Sequence, residues 1–323
     1  MIKIFRYYGV LQLITILAIA VIACVVQIIP GGEAANVEGA GPMWELIKLL
    51  TGKSLYVSVI AGTVLTVGEG YMLARILYNR GLSPINTLMP MLMFLIWSLM
   101  GGNTQLSPLM FVNLFTLLAL MSFMPRSGLV LNSNGIFNSM AYVAIGTMFY
   151  LPAVFLIIPI AIAFLNYKLY SVREWVIALF GFMAPYIVMI TAMFLFDKTY
   201  LLIPWSETLV SGFGVRVDNS VWGITCGVIE VIAMLYMLFW TIGKFQHGLQ
   251  TERRHGTAIL VLLLWSLVAM FYSRLLPFDG ATVAISMSMA TSLFLFSEVR
   301  RHQWTREVVV WLFIAFALGV VIL

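Results

Sequence analysis

Apolar runs of membrane length follow one another along almost the whole chain. They lie at 10–29, 55–77, 85–100, 105–124, 137–150, 152–167, 174–196, 222–243, 257–276, 281–297 and 306–322. Crossing a hydrocarbon core of about 30 Å takes roughly 20 apolar residues, and in lipid only a helix or a closed barrel satisfies its own backbone. The runs are continuous rather than alternating, so the expected fold is all-α: a polytopic integral membrane protein with about eleven transmembrane helices. Only 10% of the residues are charged against 62% hydrophobic, and the mean hydropathy is +1.02. A surface facing water cannot be built from that composition, so residues 1–323 read as a single transmembrane domain. Pro152 and Pro159 leave 137–167 open to two readings, two short spans or one re-entrant element.

Charge placement sets the expected orientation. With the N-terminus in the cytoplasm, Lys3, Arg6, Arg75, Arg80, Arg126, Lys168, Arg173, Lys244, Arg253, Arg254, Arg300, Arg301 and Arg306 fall on the cytoplasmic side. Lys48, Lys53, Lys198, Arg216 and Arg274 fall opposite. The positive-inside rule therefore favours a cytoplasmic N-terminus and a periplasmic C-terminus. The net charge of +5 is spread singly or in pairs at the ends of apolar runs, which argues against nucleic acid as a partner. "VIAC" at 21–24 loosely imitates a lipoprotein cleavage box, but "VVQIIP" after it stays apolar, so the first run is expected to be retained as a span. Cys24 and Cys226 both lie inside apolar runs and read as small buried hydrophobes.

Two external loops are long, 30–54 and 197–221. The first ends in a short amphipathic stretch at about 43–53. Met43, Trp44, Leu46, Ile47 and Leu50 share one helical face, away from Glu45 and Lys48, and Trp44 is the expected anchor at the outer interface. The second carries Asp197, Glu207, Arg216 and Asp218 among aromatic residues. "SVREW" at 171–175 and "WTREV" at 304–308 each open a span with Arg before Glu, which puts Glu174 and Glu307 on the positive end of a helix dipole.

Motifs with defined chemistry are few. "TGKS" at 51–54 lacks the upstream glycine of a phosphate-binding loop, since position 47 is Ile47. His247, His255 and His302 are expected in cytoplasmic loops without metal-ligand spacing, so neither a metal nor a cofactor is expected. Intramembrane acids remain. A carboxylate in hydrocarbon is costly unless protonated, paired or hydrated, and Glu69 and Glu230 are the two candidates. Their expected depths differ by roughly 8–10 Å. Gly62, Thr66, Gly68 and Gly70 would let another backbone approach Glu69, and Gly223 and Gly227 would do so beside Glu230. Arg75, six residues on, lies off the face of Glu69. A second candidate site is external, with acids Glu33, Glu38, Asp197, Glu207, Asp218 and Asp279 and cations Arg216 and Arg274. Such a set suits a glycosyltransferase acting on a polyprenyl-phosphate-linked sugar.

The stretches "LSPLMFVNLFTLLALMSF" at 106–123, "GIFNSMAYVAIGTMFYLPAVFLIIPIAIAFLNYKLYSVREWVIALFGFMAPY" at 135–186 and "RLLPFDGATVAISMSMATSLFLF" at 274–296 together resemble an uncharacterised family of polytopic inner-membrane proteins of Bacteroidota. That resemblance implies the inner membrane of a Gram-negative cell and brings no activity or functional residues with it.

Three functional expectations follow. The first is a non-catalytic membrane subunit or scaffold of a larger envelope assembly, such as protein export or cell-surface machinery. Its partners would be the bilayer and other membrane proteins, met through methionine-rich and aromatic faces. The second is the polyprenyl-lipid sugar transferase. The third is a proton-coupled transporter built on Glu69 and Glu230.

Overall fold

Local chemistry starts and stops these helices where it can be read. Asn132 accepts a hydrogen bond from Gly135 N–H at 2.8 Å, and Pro108 sits at the first helical position of its own helix. Ser171 and Glu174 form a reciprocal capping box. Gly81, at φ 69°, turns the chain after Asn79, and Leu82 N–H bonds back to Leu77 O at 3.0 Å, a closure that requires a left-handed residue.

The computed structural model describes residues 9–29, 40–51, 54–83, 86–100, 105–125, 132–202, 205–206, 221–246, 250–273 and 279–295. Among them the secondary structure is helical, with one isolated bridge between Ala40 and Tyr150. The helices are α1 (Val10–Ile28), α2 (Pro42–Thr51), α3 (Leu55–Asn79), α4 (Met89–Met100), α5 (Pro108–Phe123) and α6 (Ser133–Phe149). After a 3-10 segment (Leu151–Leu156) come α7 (Ile157–Asn166), α8 (Val172–Leu195), α9 (Val221–Gln246), α10 (Gln250–Ser273) and α11 (Asp279–Leu295). Three of them, α1, α3 and α8, are long and apolar enough to cross a membrane. The run at 306–322 lies outside the described residues.

Two helices fill the centre. Every residue of α4 from Met89 to Leu99 is buried, and α11 is buried from Val283 to Leu295 except for Phe294. They pack on each other, α4 also against α1 and α3, and α11 also against α5, α9 and α10. Apolar residues all round a helix fit this enclosed position. On α11 the small residues Ala284, Ser286, Ser288, Ala290, Thr291 and Ser292 are all buried, so neighbouring backbones approach closely. Its hydroxyls hydrogen-bond within the helix or, at Ser286, reach Ser266 of α10 at 2.8 Å.

Aromatic contacts show the path of 137–167. Phe149, at the end of α6, stacks on Phe111 in the first turn of α5 with ring centroids 4.6 Å apart. Phe164 and Tyr167, at the end of α7, meet Phe123 in the last turn of α5. The chain therefore reverses at Tyr150, whose backbone is extended, and runs the full length of α5 back again. The 3-10 segment and α7 together span roughly 27 Å, so this region is two antiparallel segments lying along α5.

The amphipathic helix is present, but Trp44 is placed otherwise than expected. Trp44 is buried with Leu106 and Met110, and packs on Phe111 at 6.2 Å. Gly41 N–H bonds to Phe149 O at 2.7 Å, and a Cβ on Gly41 would lie 1.9 Å from Met148 O. Thus α2 is clamped across the ends of α5 and α6, with Leu46 and Leu49 rather than Trp44 facing outward. The reason is geometric: the tight Gly41 contact rolls the helix so that its indole points into the bundle.

Candidate functional site

Glu69 is placed by the crossing of α3 and α4. The Cβ that Gly70 lacks would stand 3.1 Å from both Cα and O of Met91, so glycine sets the approach of the two backbones there. Gly68 has nothing within 4 Å of the corresponding position and takes no part in it. Glu69 itself is 1% exposed, and its Oε1 finds no hydrogen-bond partner among the described residues.

Helix α5 supplies a second buried acceptor nearby in register. Leu106 N–H bonds to Ser58 O at 3.0 Å at one end, and the Arg80 guanidinium donates to Met121 O at the other, so α3 and α5 run parallel. At 1.5 Å per residue, Glu69 lies about 16 Å from the Ser58 level, Thr116 about 15 Å and Asn113 about 10 Å. Asn113 is 2% exposed and its Oδ1 is likewise unpartnered among the described residues. The local hydroxyl donors are engaged in their own helices: Thr66 donates to Gly62 O at 2.9 Å and Thr116 to Val112 O at 2.7 Å. Glu69 Oε1 and Asn113 Oδ1 are thus two of the buried oxygens without a partner among the described residues. Each is a costly arrangement, since a buried polar group without a partner loses its hydration uncompensated.

The structure does not bring Glu69 and Glu230 together as a shown pair. Glu230 lies on α9, of which side chains are described only from Val231 onward. Helix α3 packs on α1, α4 and α5, whereas α9 packs on α10 and α11, and α11 is the element that touches both. Of the outer-face set, Asp197 is described: it follows α8 at φ 53° and is exposed. Asp279 opens α11, but its side chain lies outside the described residues, as do Glu33, Glu38, Glu207, Arg216, Asp218 and Arg274.

At the opposite end from α2 most of the described basic residues gather. Arg75 and Arg80 close α3, Lys168 and Arg173 flank the start of α8, Lys244 ends α9, and Arg253 and Arg254 open α10. Among them sits a pair not foreseen from the sequence. His255 is in the first turns of α10 rather than in a loop, 4% exposed, and its Nδ1 lies 2.6 Å from the Tyr167 hydroxyl of the α7 end. Asn166 Nδ2 donates to Arg254 O at 3.0 Å beside it. Burial, and then the nearby Arg80 charge, depress the His255 pKa from 6.5 to about 4. The imidazole and the Tyr167 hydroxyl share a hydrogen bond, and the pair latches α7 to α10. Lys244 is also shifted downward by burial and lies over the Trp240 ring at 5.2 Å. The pairing escaped the sequence because its partners stand 88 residues apart. The one local signal was that "TERRHGTAIL" can continue a helix backward from the apolar run.

Compared with known protein families, curated proteins and solved structures, the chain matches none.

Proposed function

We propose that this protein is an integral inner-membrane subunit that scaffolds a larger envelope assembly without catalysing a reaction itself. In this reading it crosses the membrane eleven times, with the basic end and N-terminus cytoplasmic and the C-terminus periplasmic. The observation that carries it is the exterior of α8. This helix buries only Ala178, Gly181 and Met189 and presents Leu179, Phe180, Ile187, Val188 and Phe194 outward. Among the described residues it is held chiefly through α6, where Gly181 meets the Phe137 backbone and Tyr186 bonds Thr147 at 2.5 Å. Such a flank offers aromatic and β-branched knobs to another membrane helix over about 35 Å of length. Photo-crosslinkers at Leu179 and Ile187 should capture one defined membrane protein in stoichiometric yield. Purification in mild detergent as a bare monomer carrying polyprenyl lipid would overturn the scaffold reading in favour of the transferase. For that reaction, alanine at Glu33, Glu38, Asp197, Glu207, Asp218 and Asp279 is the direct test.

A second reading, proton-coupled transport, has one specific observation in its favour: the unpartnered Oε1 of Glu69 in the bundle interior. An intramembrane acid without a partner is a natural proton carrier. Glu69→Gln removes the titration and keeps the shape. Unchanged biological function in that variant, and in Glu230→Gln, would dispose of transport.

A further inference from the structure

A cleft opens between the last turns of α3 and the end of α5, lined by Met72, Arg75, Ile76, Asn79, Arg80 and Met121. Its lining carries two positive charges and no negative one. The cations are mounted rather than loose. Arg75 Nε donates to the Tyr71 hydroxyl at 2.9 Å, and its guanidinium lies 5.3 Å above that ring. Arg80 is bonded to the Met121 carbonyl. Five residues separate the two arginines, about 7.5 Å along the helix, with the Asn79 amide near the lower one. The remaining walls are apolar, and Tyr71, Tyr78 and Met121 are exposed beside the cleft on the outward face.

We propose that this cleft binds the phosphate of an anionic glycerophospholipid from the leaflet at the basic end. The inference rests on the membrane reading given above. Guanidinium groups grip phosphate oxygens through several N–H donors at once. Two cations at different depths suit a phosphodiester and a second anionic headgroup or phosphate, while Met72, Ile76 and the tyrosines carry the glycerol and the start of an acyl chain. A free phosphate ion would use the cations and gain nothing from the apolar walls. Basic clefts between membrane helices on the cytoplasmic side are suited to such headgroups.

The test compares wild type, Arg75→Gln, Arg75→Lys and Arg75→Gln/Arg80→Gln in vesicles of phosphatidylcholine with and without phosphatidylglycerol. Native mass spectrometry then counts lipid retained after extraction. Arg75→Gln leaves the Arg80 bond to α5 in place, so it carries the test if the double variant misfolds. Wild type should retain phosphatidylglycerol over phosphatidylcholine, Arg75→Gln should lower that retention about fivefold, and Arg75→Lys should restore part of it. Displacement of the lipid by millimolar inorganic phosphate would overturn the lipid assignment in favour of a free anion. Equal phosphatidylglycerol retention by Arg75→Gln and wild type would overturn the site altogether. Failure of the wild type to float with vesicles would instead refute the membrane reading, so the two failures are separable.

Discussion

Helices α4 and α8 are both strongly apolar, yet among the described residues one is buried throughout and the other exposes most of its length. In α4 the sequence is methionine-rich, "MPMLMFLIWSLM", and its side chains from Met89 to Leu99 are buried. In α8 bulky residues point outward, and a glycine, Gly181, makes a close backbone contact with α6. Hydropathy does not separate these cases, because lipid tails and protein interiors are equally apolar. Packing separates them. Methionine adapts to irregular gaps in a crowded interior, and a small residue marks a line along which an outer helix touches the bundle.

The strongest way to break that contrast is to overfill the two contacts. A Cβ on Gly181 would stand 2.5 Å from Phe137 O, so Gly181→Leu should detach α8. Limited proteolysis of the 166–172 turn should accelerate while α4 stays protected. Phe94→Ala, in the middle of α4, should destabilise by about 3–5 kcal/mol through the void it leaves, read as a fall in unfolding midpoint in detergent. Phe180→Ala on the outer face of α8 should stay within about 0.5 kcal/mol. Equal effects at Phe94 and Phe180 would abolish the distinction between an enclosed and an outer helix.

Acid should act next most strongly, at the latch between α7 and α10. The folded His255 pKa of about 4 lies below the ordinary 6.5, so between these values the unfolded chain binds the extra proton. Stability is therefore complete above pH 6.5 and falls as the pH drops toward 4, by at most about 3 kcal/mol. His255→Phe should flatten the unfolding midpoint over that window, and an undiminished slope would place the sensitivity elsewhere. Smaller still, Glu69→Met should raise stability by about 1–3 kcal/mol, since it removes an orphaned polar group and leaves no donor unsatisfied. A loss instead would reveal a partner for Glu69. Gly68→Ala, with open space at its Cβ position, should gain only about 0.5–1 kcal/mol from helix propensity.

Much of this architecture was legible one segment at a time. Apolar run length anticipated the helices, since a backbone in hydrocarbon has few other options. Glu174 opens α8 as expected, and the structure adds Ser171 as its reciprocal cap, an interaction decided within four residues. The glycines beside Glu69 were legible as a group but not singly: Gly70 sets the crossing with α4, and Gly68 does not. The burial of Trp44 was also hidden, because the roll of α2 depends on a contact between Gly41 and Met148–Phe149, over a hundred residues away.

The sequence by itself determined that the described residues are helical, roughly where the apolar helices lie, and that the cations collect at alternate ends of successive runs. These follow from backbone satisfaction in an apolar medium and from charge avoiding it, both local properties. Only the tertiary structure decided that 137–167 is two antiparallel segments, that α4 and α11 form the centre, that His255 meets Tyr167, and that no donor reaches Glu69 Oε1 among the described residues. Those outcomes depend on shape fit between distant helices, which hydropathy does not encode because every apolar face is, to lipid, the same.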